Sequence, residues 1–130
     1  MGTDELQSIP LFKNLTDGQR ERVAERLQEV EVDLGAVIAR QGAFAYHLFV
    51  VREGTAVVTI DGELVGSLGP GSTFGEIGVL DHGRRTANVV AATPMRLLTM
   101  MVWDFDELAA ELPEFAAQVK TTAQHRLERT

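Results

Sequence analysis

The stretch that decides the fold reads Phe74-Gly75-Glu76-Ile77-Gly78-Val79-Leu80-Asp81-His82-Gly83-Arg84-Arg85-Thr86-Ala87-Asn88-Val89. Gly75 allows a ligand to approach the main chain closely, and a helical turn over 76–80 would aim backbone N–H groups at an anion. Arg85 can offer two parallel donors to phosphate oxygens, and Thr86 adds a hydroxyl beside it. The stretch therefore predicts a site for an anionic sugar phosphate.

Glu76 narrows this prediction, because a carboxylate beside a phosphate is repulsive unless it accepts a hydrogen bond of its own. A ribose 2′-hydroxyl would donate that bond and would make the site prefer ribose over deoxyribose. The sequence contains no Walker-type loop for a polyphosphate. We therefore expect a ribonucleotide whose phosphate lies close to its sugar.

Length, charge and composition limit the function classes. The 130 residues, 45% of them hydrophobic, predict one domain. The net charge of -7 disfavours nucleic acids and anionic bilayers as partners. The chain has no cysteine, no signal-like amino terminus and no apolar run of about 18 residues. We expect a soluble cytoplasmic protein without nucleic-acid binding or direct membrane insertion.

Hydrophobic periodicity divides the chain into three parts. Thr16 and Gln19 have the spacing of a capping box and predict a helix over residues 17–27. Short β-branched runs follow, and Asp61-Gly62 is typical of a two-residue hairpin turn. Such runs predict the short antiparallel strands of a barrel or jelly roll. They cover residues 30–34, 37–38, 47–52, 55–60, 63–65, 88–93 and 96–102.

The helical period returns near the carboxyl end. Asp104 is predicted to cap a short helix through residue 112, and Pro113 to begin another that runs to about 129. One stripe of this second helix contains Phe115, Val119, Thr122, Ala123 and Arg126. Arg126 is therefore predicted to face inward, although a solvent-exposed arginine near a helix end would also suit the helix dipole.

The stretch 74–89 resembles the phosphate-binding cassette of the cyclic nucleotide-binding domain family, found in cyclic-AMP-dependent kinase regulatory subunits, bacterial catabolite activators and cyclic-nucleotide-gated channels. The family pattern F-G-E-[LI]-[AG]-L, then R-[TSA]-A-[TN]-V, is similar to residues 74–79 and 85–89. The resemblance implies a mainly β fold with flanking helices, built on an eight-stranded antiparallel, jelly-roll-like β-roll. It further implies one domain over 1–130, with a helical segment (1–28), the roll (29–102), and hinge and lid helices (103–130).

The same resemblance assigns roles to residues of the site. Arg85 would pair with the cyclic phosphate, although Arg84 is an alternative outside the family register, and Glu76 would accept from the 2′-hydroxyl. Arg126 would cover the base as a lid. The ligand-binding residues implied are Phe74, Gly75, Glu76, Ile77, Gly78, Arg85, Thr86, Ala87 and Arg126.

The function implied is a non-enzymatic sensor that binds a cyclic purine nucleotide, cyclic AMP, and signals through its carboxyl-terminal helices about a hinge near 102–105. Cyclic GMP is the alternative ligand, because a hydroxyl such as Thr86 occurs in relatives that prefer either nucleotide. A degenerate interaction module of the same fold, docking a partner without nucleotide, is the other alternative. The expected partner is an effector protein or a fused domain, and a homodimer is also compatible with the sequence.

Metal binding and catalysis are not predicted. His47, His82 and His125 lack the spacing of metal ligands. Glu76 and His82 have neither a nucleophile nor an oxyanion partner, so a hydrolase is disfavoured. We expect Trp103 and the methionines Met95, Met100 and Met101 to pack in the core or at the hinge.

Overall fold

The structure, a computed structural model, describes residue 6 and residues 9–44, 46–75 and 85–129, except the side chains of 122–129. The elements in chain order are α1 (Asp17–Ala24), β1 (Gln28–Val32), β2 (Val37–Ala39), β3 (His47–Glu53), β4 (Ala56–Ile60), β5 (Glu63–Leu68), β6 (Thr73–Phe74), β7 (Asn88–Ala91), β8 (Met95–Met101), α2 (Val102–Glu111) and α3 (Pro113–Arg129).

The eight strands form two four-stranded antiparallel sheets, with strand orders β1-β8-β3-β6 and β2-β7-β4-β5. The expected β-roll with flanking helices is therefore confirmed. Sequence periodicity does not predict β6, because two residues are too few to show alternation. Its register places Phe74 opposite Phe49 on β3, and this pairing builds one wall of the site.

Two local predictions from turn and cap chemistry are confirmed. Thr16 and Gln19 form the reciprocal capping box of α1. Asp61 and Gly62 have φ values of 52° and 83°, as a type I′ hairpin between β4 and β5 requires. The end of α1 differs from the prediction: it stops at Ala24 because residues 26 and 27 donate to carbonyls three positions back, which tightens the last turn before β1.

Strand β3 lies between two apolar clusters and is buried on both faces. Leu48 and Val50 face the helical layer, in a cluster that includes Phe12 and Phe115. Phe49 faces the interior of the roll, in a second cluster. This double burial explains why residues 48–51 read as a continuous apolar run instead of an alternating one.

Helix α2 follows β8 without a linker, and this corrects the prediction for Asp104. Met101 is the N-cap residue and makes no side-chain capping bond, while Asp104 lies within the first turn and pairs with Arg26 at 2.7 Å. Trp103 is 55% exposed, which excludes the core but not the hinge, the other place predicted for it, whereas Met95 and Met100 are buried.

The predicted start of α3 at Pro113 is confirmed. Phe115 and Val119 are fully buried on its inward stripe. The side chains of the other stripe residues, Thr122, Ala123 and Arg126, lie outside the described part of the chain. Among the described residues, no helix is long and apolar enough to cross a membrane. Over those same ranges, no group of three His, Asp or Glu side chains could hold a metal ion.

Candidate functional site

The backbone of Arg85 is held on both sides by the loop between β2 and β3. Its N–H donates to the carbonyl of Ala43 at 2.6 Å, and its carbonyl accepts from the N–H of Gly42 at 2.9 Å. These two bonds act like a short antiparallel pairing just before β7 begins at Asn88. The position of Arg85 is therefore set by a loop distant in sequence, which no local motif shows.

The Arg85 guanidinium is drawn into the roll, and the residue is only 9% exposed. Nη2 donates to the carbonyl oxygen of His47 at 2.7 Å. The guanidinium carbon lies 5.3 Å from the centroid of the Phe49 ring, within cation–π range. Phe49 in turn stacks on Phe74, with centroids 4.7 Å apart and ring planes 12° apart. The charge thus rests on an aromatic pair that restricts its orientation.

Gly75 lies directly against this guanidinium. Its φ of 89° is in the left-handed region that favours glycine. A Cβ at this position would overlap Arg85 Nη1 and lie 2.8 Å from the His47 carbonyl oxygen. Both the backbone angle and the lack of space therefore require glycine at position 75. The sequence argument gave a different reason for this glycine, the close approach of a ligand.

The other predicted site residues differ in burial, and some of them lie outside the described part of the chain. Thr86 is exposed and Ala87 is half-buried, both next to Arg85. The Phe74 side chain is 2% exposed and packs on Phe49, so it supports the site from beneath. Glu76, Ile77 and Gly78 lie outside the described residues, and so does the side chain of Arg126.

His47 and Phe49 belong to the site but carry no sequence signal for it. The His47 ring lies 5.7 Å from that of Phe49, centroid to centroid. Burial lowers the pKa of the His47 imidazole, and the nearby charge of Arg85 lowers it further. His47 is therefore biased toward its neutral form, which limits repulsion of the guanidinium. Only the β3–β6 pairing and the fold of the loop reveal these neighbours.

Comparison with known proteins places this geometry in a family. The sequence profile described as "Cyclic nucleotide-binding domain" matches residues 29–111, which run from the second residue of β1 to the end of α2. This chain belongs to the cyclic nucleotide-binding domain family. The resemblance drawn from residues 74–79 and 85–89 is thereby confirmed.

Relatives of this cyclic nucleotide-binding domain include channels and a regulator. It is 34% identical over 119 residues to a cyclic nucleotide-gated potassium channel of Rhizobium etli, covering 92% of this chain and 33% of the channel. It is 34% identical over 122 residues to the human potassium/sodium hyperpolarization-activated cyclic nucleotide-gated channel 4, covering 94% and 10%. The chain thus spans a third or less of these relatives.

The crystal structure of the Thermus thermophilus catabolite activator protein has a similar fold. It superposes with a TM-score of 0.83 at 30% sequence identity, over 92% of this chain and 58% of the activator. The β-roll with flanking helices is therefore shared between this domain and a protein whose chain extends beyond the matched part.

Proposed function

We propose that this domain is a non-enzymatic sensor that binds cyclic AMP, with cyclic GMP as the alternative ligand. The observation that carries the proposal is the Arg85 guanidinium, fixed between the His47 carbonyl and the Phe49 ring and set against the glycine backbone at 75. A planar guanidinium held in this way is preorganised for two phosphate oxygens, so little ordering cost remains when an anion binds. The choice of a cyclic nucleotide as the ligand is supported by the family and by the names of its channel relatives.

The roles proposed for the remaining residues follow the cassette register. Arg85 binds the cyclic phosphate, and Thr86 with the backbone at Gly75, Glu76 and Ala87 completes the phosphate site. The Glu76 side chain accepts from the ribose 2′-hydroxyl. Arg126 covers the base. The full proposed set is Phe74, Gly75, Glu76, Ile77, Gly78, Arg85, Thr86, Ala87 and Arg126.

The proposed signal is a movement of the helical layer on the roll. Helix α2 begins where β8 ends, and the Val102 N–H donates to the Tyr46 carbonyl at 2.8 Å, close to the site loop. Phe105, Phe115 and Phe12 share one buried cluster, so α2, α3 and the amino-terminal segment are packed as one layer. A ligand that shifts the loop or the lid would shift this layer, and an effector region or partner chain would read the change.

The deciding experiment is calorimetry on ligand-free protein with cyclic AMP and cyclic GMP. We expect heat of binding, and Arg85→Ala should cost at least about 1.5 to 3 kcal/mol of binding free energy. Arg85→Lys keeps the charge but loses the planar fork, so it should recover only part of the affinity. Lys13→Ala removes an exposed positive charge elsewhere and serves as the matched control.

Two results would contradict the proposal at different levels. Absence of heat with both nucleotides would favour an interaction module that keeps the fold without binding nucleotide. Binding that Arg85→Ala leaves unchanged would show that the phosphate lies elsewhere. The sugar assignment has its own test: Glu76→Ala should abolish most of the preference for cyclic AMP over its 2′-deoxy analogue.

A further inference from the structure

We infer that Gln41 is a positioning residue for Arg85, although Gln41 lies on the β2–β3 loop and Arg85 lies in the cassette, just before β7. Gln41 anchors the β2–β3 loop to two fixed points of the second sheet, and that loop holds the backbone of Arg85. The inference rests on the proposed function for its effect on ligand affinity. Its structural part stands on hydrogen bonds among described residues alone.

The first anchor is a two-bond pairing between Gln41 and Asp61. Gln41 Nε2 donates to Asp61 Oδ1 at 2.9 Å, and the Asp61 N–H donates to Gln41 Oε1 at 2.9 Å. Asp61 is the first residue of the I′ turn between β4 and β5, with a φ of 52°. The β4–β5 ladder closes that turn through the pair Ile60 and Glu63, so Gln41 is bonded to a turn that is itself hydrogen-bonded into the sheet.

The second anchor ties the same residue to strand β7. The Gln41 N–H donates to Asn88 Oδ1 at 2.9 Å. Asn88 begins β7, soon after Arg85 in the chain, and its Nδ2 lies 3.4 Å from Thr59 Oγ1 on β4. The loop and the strand that follows Arg85 are therefore fixed to each other and to β4.

The next two residues of the loop carry this constraint to Arg85. Gly42 donates to the Arg85 carbonyl, and the Ala43 carbonyl accepts from the Arg85 N–H. The hydrogen bonds of Gln41 go to Asp61 and Asn88, so its effect reaches Arg85 through these two backbone bonds and through Asn88, three residues after Arg85 in the chain. A loosened loop would leave Arg85 to be ordered by the ligand, which lowers affinity without removing any ligand contact.

Gln41→Glu is the test substitution, because it keeps the size of the side chain but places a carboxylate against Asp61. We expect the affinity for cyclic AMP to fall roughly 3- to 10-fold and the Arg85 amide of ligand-free protein to exchange hydrogen faster. Gln28→Glu adds the same charge at an exposed position of β1 and should change neither quantity. Asp61→Gly removes the acceptor without adding charge, and should weaken binding in the same direction.

A polarity swap separates positioning from general damage. In the double variant Gln41→Glu with Asp61→Asn, the new amide donates to the new carboxylate, while the backbone N–H of residue 61 still donates to its other oxygen. Asparagine tolerates the left-handed backbone of this turn. Both the affinity and the exchange rate of the Arg85 amide should return most of the way to wild-type values.

Distinct results overturn the inference and the proposed function. If wild-type protein binds neither cyclic AMP nor cyclic GMP, the proposed function fails, while the exchange rate of the Arg85 amide still tests the positioning. If wild type binds and Gln41→Glu binds equally well, or exchanges at Arg85 at the wild-type rate, the inference is wrong. It is also wrong if the double variant stays as weak as Gln41→Glu.

Discussion

The Arg85 guanidinium occupies the space that a side chain at position 75 would need, because a Cβ on Gly75 would overlap Arg85 Nη1. The guanidinium can reach the His47 carbonyl only because the glycine leaves this space empty. This contact gives Gly75, the second residue of the cassette, a packing role that does not depend on a ligand: the absent side chain makes room for the Arg85 guanidinium.

Gly75→Ala tests that relationship directly. The left-handed backbone alone should cost about 1–3 kcal/mol of strain, and the displaced guanidinium should in addition weaken cyclic nucleotide binding. Gly35→Ala is the matched control, since Gly35 has the same φ of 89° with nothing within 4 Å of an added Cβ. Chemical denaturation and calorimetry on both variants separate the two effects. Equal losses of affinity in both variants would contradict the crowding argument.

Phe49→Leu should lower the affinity for cyclic nucleotide as well as the stability of the fold. The ring lies under the Arg85 guanidinium and stacks on Phe74, so leucine keeps apolar bulk but removes the cation–π contact. That contact is worth on the order of 0.5–2 kcal/mol, and we expect affinity to fall by a comparable amount. Phe12→Leu, in the cluster below the helices, is the control and should lower stability without lowering affinity. Titration at a temperature where both variants are folded makes the comparison.

The lowered pKa of His47 predicts a pH dependence of stability. Because burial and the Arg85 charge keep the imidazole neutral in the native protein, the unfolded chain binds more protons between the native pKa and about 6.5. The contribution of His47 is present above about pH 6.5 and is lost as the pH falls through that window. Urea denaturation of wild type and His47→Gln at pH 5 to 8 should show a flatter profile for the variant. Parallel profiles would show that the group does not titrate differently on folding.

The helical layer should depend on its apolar contacts far more than on its ion pairs. Phe115 is fully buried and contacts the rings of Phe12 and Phe105, so Phe115→Ala should cost about 3–5 kcal/mol of unfolding free energy. Arg26 pairs with Asp104 and Glu107 at the surface, where solvent and salt weaken such contacts. Arg26→Met should therefore change the free energy of unfolding little, and less still at high salt. A loss of the same size in both variants would contradict this ranking.

Local chemistry explains the predictions that are confirmed. The capping box at Thr16, the hairpin at Asp61-Gly62 and the helix start at Pro113 depend on bonds and angles within a few residues, so the sequence is sufficient to place them. The cassette pattern at residues 74–79 and 85–89 also indicated the family, and the sequence profile confirms it.

The errors arise where tertiary contacts override local preference. Asp104 has the chemistry of an N-cap, but β8 runs directly into α2, so the N-cap is Met101, three residues earlier, and the Asp104 carboxylate pairs with Arg26 instead. The sequence predicts Trp103 in the core or at the hinge, and its exposed position in the first turn of α2 excludes only the core. Neither outcome can be read from neighbouring residues, since each depends on where a distant element packs.

By itself, the sequence determined the class of fold and the family, and it singled out Arg85 as the residue proposed to bind the phosphate. Only the tertiary structure decided what surrounds that arginine: the Phe49–Phe74 pair beneath it, the His47 carbonyl beside it, and the loop that Gln41 ties to Asp61 and Asn88. The physical reason is that cassette chemistry is encoded by short spacing along the chain. The rigidity of the guanidinium comes instead from backbone hydrogen bonds and ring contacts between strands and loops far apart in sequence.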